Sequence, residues 1–250
     1  MTKLEIQVAG GDTATPLNLQ KRIDRICAAA GTVRGMRAID CGCGAGEYVR
    51  ALTALGADAW GIEYSVEKVG EAVRLGGLPE GRVAVGDIEN IDFPDDHFDI
   101  ALVNETLEHV PRDDRGIREV HRILKPGGLA LIFSPNRLYP FETHGVSLRS
   151  GTKVPHYIPF VPYVPVRLGV FEYWARNYWP WELRGLVRAG GFSIERWGYV
   201  WQTFENISGN QPRLIAALRP LLRAIASALE ATPGLRAFGV SQLIVARKPQ

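Results

Sequence analysis

Residues Met36 to Gly46 read MRAIDCGCGAG, and EYVRALTAL follows from Glu47. The apolar run is a short buried strand, Gly42, Gly44 and Gly46 make a turn, and the next stretch has the look of a helix. A strand, a glycine turn and a helix form a cradle for an anionic or nucleotide-like ligand. Glycine lets the backbone approach the ligand, and a helix start offers unpaired N–H groups. Asp40 at the strand end would repel a phosphate and suits a cationic group, such as the ammonium of an amino acid. A tight βα turn that holds no ligand shares this local pattern.

The following segments narrow the reading. ADAWGIEYS is apolar and ends at Glu63, about twenty residues past the turn, where a doubly wound sheet places an acid on a ribose diol. GRVAVGDIENIDFP gives a third strand ending at Asp87-Ile88, HFDIALVNETLEHV a fourth, and GGLALIFSPN a fifth. Alternation of strands and helices predicts an α/β fold with a parallel sheet, and its successive strands end in polar residues at one edge. Open α/β sheets bind ligands at that edge.

These motifs together resemble the class I S-adenosylmethionine-dependent methyltransferases, over roughly residues 30 to 200 and with a last strand near the C-terminus. The resemblance implies a Rossmann-like, seven-stranded, mostly parallel sheet with helices on both faces. It also implies that Asp40, Gly42, Gly44 and Gly46 hold the methionine part of S-adenosylmethionine. Glu63 would take the ribose hydroxyls with Tyr64 beside the adenine. Asp87 would face the adenine amino group with Ile88 beside it, and Asn104 would lie under the cofactor. Leu124 to Gly128, LKPGG, matches the turn before the fifth strand. A nicotinamide dehydrogenase would favour GxGxxG, whereas the spacing here is GxGxG.

At 250 residues, 46% of them hydrophobic, the whole chain is expected to be one such domain, residues 1–250, with a small lid. The 29 basic and 27 acidic side chains nearly balance, which disfavours nucleic acid as a partner. No apolar run reaches about eighteen residues, so no membrane span is expected. The first sixteen residues carry no apolar core of signal-peptide type. Cys41 and Cys43 are poorly placed to bridge each other, and a Cys-x-Cys metal site would want more ligands. A cytoplasmic location follows as the expectation.

A helix is predicted from Leu17 to Ala30, others at Asp113–Leu124, Pro180–Ala189 and Leu214–Leu229, and later strands at Phe192–Val200 and Val240–Ala246. The Leu214–Leu229 helix alternates leucines with arginines, which suits packing on the sheet or peripheral contact with a membrane surface. Residues 136–179, after the fifth strand, are rich in proline and aromatic side chains. A connection of this length on the ligand edge reads as a lid that builds an acceptor pocket, or as a structural cap or dimer surface.

Methyl transfer from a sulfonium asks a protein for alignment, exclusion of water and, for a hydroxyl acceptor, a base. Candidates cluster at Asn104-Glu105-Thr106-Leu107-Glu108-His109. A helix starting after the fourth strand would set Glu105, Glu108 and His109 on one face. Such a face can hold a divalent ion, serve as a His–carboxylate base, or be structural. Glu-x-x-Glu-His also resembles the pattern of ubiquinone-biosynthesis O-methyltransferases and small-RNA 2′-O-methyltransferases. That resemblance implies a divalent metal such as Mg²⁺ on Glu105, Glu108 and His109, with His144 or His156 from the lid as a further ligand. In the metal-free alternative, His109, Glu108 and His144 do the acid–base work. His97 and His121 are read as solvated or packing residues. The expected function is methyl transfer to a small-molecule acceptor, at a hydroxyl oxygen. The alternatives are an RNA 2′-O-methyltransferase, a carbon methyltransferase of quinone or lipid type, and a cofactor-binding protein without catalysis.

Overall fold

A computed structural model describes residues 16–205 and 213–250, so the reading of the first fifteen residues lies outside the described part. After helix α1 (Pro16–Ala30) come β1 (Arg37–Cys41), α2 (Glu47–Ala54), β2 (Asp58–Glu63), α3 (Val66–Leu75), β3 (Val83–Val85) and β4 (Phe98–Asn104). Next are α4 (Asp113–Ile123), β5 (Leu124–Pro135), a small hairpin of β6 (Val146–Leu148) and β7 (Phe171–Tyr173), and α5 (Pro180–Ala189). The chain closes with β8 (Ser193–Val200), α6 (Arg213–Ala231) and β9 (Ser241–Arg247).

The main sheet has seven strands in the order β3-β2-β1-β4-β5-β9-β8. The first five pair in parallel, and β9 runs antiparallel to both β5 and β8. Strand order reverses between β1 and β4, which opens a crevice at their carboxyl ends. Side chains alternate across the sheet, so β4 sends Ile100 and Leu102 to one core and Ala101 and Val103 to the other. The first core packs under α1 and α2 with Ile23, Ile26, Val49 and Leu52, and the second under α4 and α5 with Ile117, Val120, Leu183 and Val187. Cys43 joins the first core and Cys41 the second, both as buried free thiols.

Local chemistry marks the element ends. Ser65 caps α3 by accepting the Lys68 N–H at 3.3 Å, and the Glu182 carboxylate accepts the Trp179 N–H at 3.0 Å where Pro180 opens α5. Helix α4 stops at Ile123 and β5 begins at once with LKPGG, so the predicted turn is the irregular first stretch of the strand, with Gly127 at φ 78°. His97 is half-buried rather than solvated, its ring 4.8 Å from that of Phe98. Glu230 near the end of α6 pairs with Lys21 and, at 2.9 Å, with Arg25, which ties that helix to α1.

Residues 136–179 form a compact excursion whose ends meet, because Asn136 bridges Tyr178 and the Arg137 N–H donates to the Tyr178 carbonyl at 3.0 Å. Its prolines supply no N–H, and side chains take up the carbonyls instead. Arg137 donates to Pro162 and Val164, Tyr163 to Leu138, and Tyr173 to Val161 and Val164.

Three glycines make the packing testable. Gly70 and Gly185 lie inside helices with open space where a Cβ would stand, so Gly70→Ala and Gly185→Ala should each raise stability in urea unfolding by about 0.5–1 kcal/mol. At Gly61 a Cβ would sit 2.7 Å from Cys43 Sγ and 2.8 Å from Val49, so Gly61→Ala should cost about 1–3 kcal/mol.

Candidate active site

The glycine turn after β1 is built for close approach. Gly42, Gly44 and Gly46 have φ of 91°, 56° and 82°, a region that side chains disfavour. A Cβ on Gly42 would collide with Thr106 at 2.2 Å, while one on Gly44 would meet nothing nearer than 4.0 Å, so the turn is tight on one side and open on the other. Asp40 is 1% exposed and its Oδ1 has no hydrogen-bond partner. Burial, followed by the charges of Glu47 and Glu63, pushes its carboxyl well above the usual range. A buried, unpaired carboxylate beside an open glycine cradle fits a cationic ligand group.

The other cofactor candidates also lie at the carboxyl edge of the parallel strands. Glu63 ends β2, with Oε2 accepting the Gly44 N–H and Oε1 the Ser65 N–H, each at 2.9 Å. Each oxygen retains a lone pair for a diol. Tyr64 is 77% exposed beside it. Beyond β3, Asp87 Oδ1 accepts the Glu89 N–H at 2.8 Å and Ile88 is buried. Asn104 ends β4, where its Oδ1 accepts from Arg22.

The reading of Glu105 needs correction. The predicted helix after β4 is a single 3-10 turn, Leu107–His109, and Glu105 precedes it at φ 52°, so the regular helix that would align the three residues is absent. Glu105 Oε1 instead accepts from Arg22 at 2.8 Å and from the Ser241 hydroxyl at 2.5 Å. Arg22 is 2% exposed, also donates to Ser241 at 3.2 Å, and lies over the Phe133 ring. Burial opposes ionisation of Glu105, but Arg22 and the Ser241 hydrogen bond outweigh it and hold the carboxyl below its ordinary range.

His144 takes the place that Glu105 leaves. Ligating atoms of Glu108, His109 and His144 lie within 4.8 Å of one another. His144 Nε2 is 3.6 Å from Glu108 Oε1, which has no hydrogen-bond partner, and the two imidazole rings are 5.2 Å apart. Glu108 Oε2 accepts from Ser134 at 3.4 Å. Buried Glu142 fixes the turn that carries His144: its Oε1 accepts the N–H groups of Thr143 and His144, and its Oε2 accepts from Asn177. His156 is exposed, with Nδ1 against the Glu142 carbonyl, and is not in this group. Burial and then the charge of Glu105 push Glu108 well above the carboxylate range, while burial and then His144 lower the pKa of His109.

A cavity of about 900 Å³ opens beside this group, lined by Glu108 and His109 at one end and by Arg137, Val166, Phe171 and Trp174 of the 136–179 segment. It includes no residue of the glycine turn. Arg22, Glu142 and Ser241 were not singled out by the sequence. Arg22 did carry a signal, since it stands at i+3 from Leu19 and i−4 from Ile26 on the apolar stripe of α1.

Three variants probe these charges. Arg22→Met strands the buried Glu105 and should cost about 3–5 kcal/mol in denaturant unfolding, part of which Arg22→Met with Glu105→Gln should restore. The raised pKa of Glu108 means that stability is full below the ordinary value of 4.5 and declines as pH rises through the folded value. Glu108→Gln should therefore match the parent's melting temperature in acid and exceed it increasingly as pH rises; parallel melting curves across that range would refute the protonated form.

Comparison with known proteins identifies the family. A family profile described as a methyltransferase domain matches residues 39–132. A ubiquinone biosynthesis O-methyltransferase of Chelativorans sp. is 30% identical over 189 residues, covering 74% of this chain and 70% of that protein. A ubiquinone/menaquinone biosynthesis C-methyltransferase of Caulobacter sp. is 32% identical over 124 residues, covering 44% of this chain and 49% of that protein. The chain spans about half the length of most of the curated relatives it matches. In fold it is similar to the S-adenosylmethionine-dependent methyltransferase crystal structure from Mesorhizobium loti, with a TM-score of 0.59 at 23% identity, over 90% of this chain and 96% of that one. This chain belongs to the class I S-adenosylmethionine-dependent methyltransferases.

Proposed function

We propose that this chain transfers the methyl group of S-adenosylmethionine to a hydroxyl oxygen of a small, flat or apolar acceptor held under the 136–179 segment. The observation that carries this reading is the convergence of Glu108, His109 and His144 within 4.8 Å of one another, the first two lining a largely apolar cavity. The cofactor supplies an activated methyl on a sulfonium, and its fit to the site rests on the open cradle at Gly44 and the unpaired carboxylate of Asp40.

The chain's own residues then have three tasks. Aromatic and proline side chains of the 136–179 segment enclose the acceptor and exclude water. His109, kept neutral by its lowered pKa, can take the hydroxyl proton on a ring nitrogen. Glu108 and His144, 3.6 Å apart, orient that exchange, with Glu142 and Asn177 fixing His144 from behind.

A divalent ion on the same three residues is the second reading, favoured by the unpaired Oε1 of Glu108 among two imidazoles. Two imidazoles and one carboxylate suit zinc, iron or manganese better than the all-oxygen preference of magnesium. Such an ion would lower the pKa of a bound hydroxyl and leave coordination positions open for neighbouring acceptor oxygens.

Calorimetric titration with S-adenosylmethionine and turnover on a catechol and diol panel test both readings. Glu63→Ala should weaken cofactor binding by about 1.5–3 kcal/mol. His109→Asn and His144→Asn should leave cofactor affinity unchanged and slow turnover by about 10²–10⁴-fold. Turnover that survives chelation selects the metal-free base, and turnover lost on chelation and restored by Zn²⁺ or Mn²⁺ selects the ion. Undiminished turnover in both histidine variants would overturn the assignment.

A further inference from the structure

The cavity beside the Glu108 cluster holds one cation that no carboxylate of the described residues answers. Beyond Glu108 and His109, its charged lining residues are Asp113, Arg137, Glu172, Arg176 and Glu182. Arg176 pairs with Asp113 at 3.1 Å, and Asp113 also accepts the Tyr178 hydroxyl at 2.7 Å. Glu182 is committed to the Trp179 N–H. Glu172 is exposed on β7, where strand alternation sets it opposite to Phe171 and Tyr173. Arg137 forms no ion pair among the described residues, and its hydrogen bonds go to backbone carbonyls.

Arg137 is held in one orientation. It follows β5 closely, is half-buried, and its guanidinium stands 5.2 Å from the centre of the Trp179 ring. Its Nε donates to the Pro162 carbonyl at 2.6 Å and its Nη2 to that of Val164 at 3.1 Å. The Tyr173 hydroxyl donates to the Val164 carbonyl as well, at 3.1 Å, so that acceptor is itself fixed. Stapling of the 136–179 segment accounts for Nε and Nη2. It leaves Nη1, with two N–H groups, without an acceptor among the described residues. A guanidinium oriented on one edge and free on another is arranged to receive a planar anion.

We propose that Arg137 is a specificity-determining residue of the cavity and binds a carboxylate on the methyl acceptor. The acceptor class is then a hydroxylated ring that carries a carboxylate, with the ring against Phe171 and Trp174, which line the same cavity. A single negative charge suits this place better than a phosphate dianion. Only one unpaired guanidinium is there to meet it, and Glu172 and Glu182 also line the cavity and would repel a second charge. A carboxylate gripped at a fixed cation holds the acceptor in one orientation, which alignment of its hydroxyl with a methyl donor requires. The word acceptor rests on the proposed methyl transfer; the carboxylate contact does not.

Calorimetric titration of the full chain with protocatechuate and with its uncharged amide tests the assignment, in the presence of the demethylated cofactor so that no turnover occurs. The acid should bind about 10–100-fold more tightly than the amide, as expected for a charged hydrogen bond. Arg137→Gln should abolish that preference while leaving the amide's affinity and the cofactor's unchanged. Arg137→Lys keeps the charge without the planar fork and should retain part of the preference. Equal affinity for acid and amide in the parent chain, or no binding of the acid, would overturn the proposal, and neither result depends on a variant that folds. A parallel loss of both ligands in folded Arg137→Gln would overturn it too, by reducing Arg137 to a staple. Turnover separates the two ideas, since an acid held through Arg137 and never methylated would count against methyl transfer alone.

Discussion

A guanidinium that is 2% exposed must have its charge answered inside the protein, and the arrangement around Arg22 follows from that demand. Its partners, Asn104, Glu105 and Ser241, come from the end of β4, the residue after it, and the start of β9. Helix α1 is thereby pinned across the carboxyl edge of the sheet. The same pairing holds the Glu105 carboxyl below its ordinary range. Burial and then that neighbouring negative charge push the Glu108 carboxyl well above its ordinary range. A residue 83 positions earlier in the chain thus sets the electrostatic condition of the cluster.

The central half of the molecule was legible because its information is local. The strand, glycine turn and helix from Met36 onward, and the polar residues ending β2 and β4, are readable as neighbours in sequence. Helix α5 begins and ends at the residues its proline and glycines mark. The active cluster was half legible. Glu108 and His109 are adjacent, but Glu105 was drawn onto their face by assuming a regular helix that φ 52° forbids. Its substitution by His144 depends on Glu142 and Asn177, 35 positions apart, and no periodicity reports a contact of that kind.

The β5–β9 pairing gives the second half of the sheet a different character from the first. An antiparallel β9 inserted between β5 and β8 brings Ser241 and Gln242 to the ligand edge, where Gln242 donates to the carbonyls of Pro135 and Tyr178. These are the two ends of the 136–179 excursion. One amide therefore holds the root of the 136–179 segment, and β9 anchors that segment as well as extending the sheet.

That root has a consequence for how such a protein can diversify. Because Asn136 and Tyr178 bridge each other, the excursion leaves and re-enters the fold at nearly one point. Its internal hydrogen bonds join its own backbone N–H groups and side chains to its own carbonyls. It behaves as a cassette: lengthened, shortened or exchanged, it would leave the strand order and the glycine turn unaltered. The excursion and the glycine turn can thus vary separately, and one scaffold can acquire a new surface by rewriting a single stretch of chain.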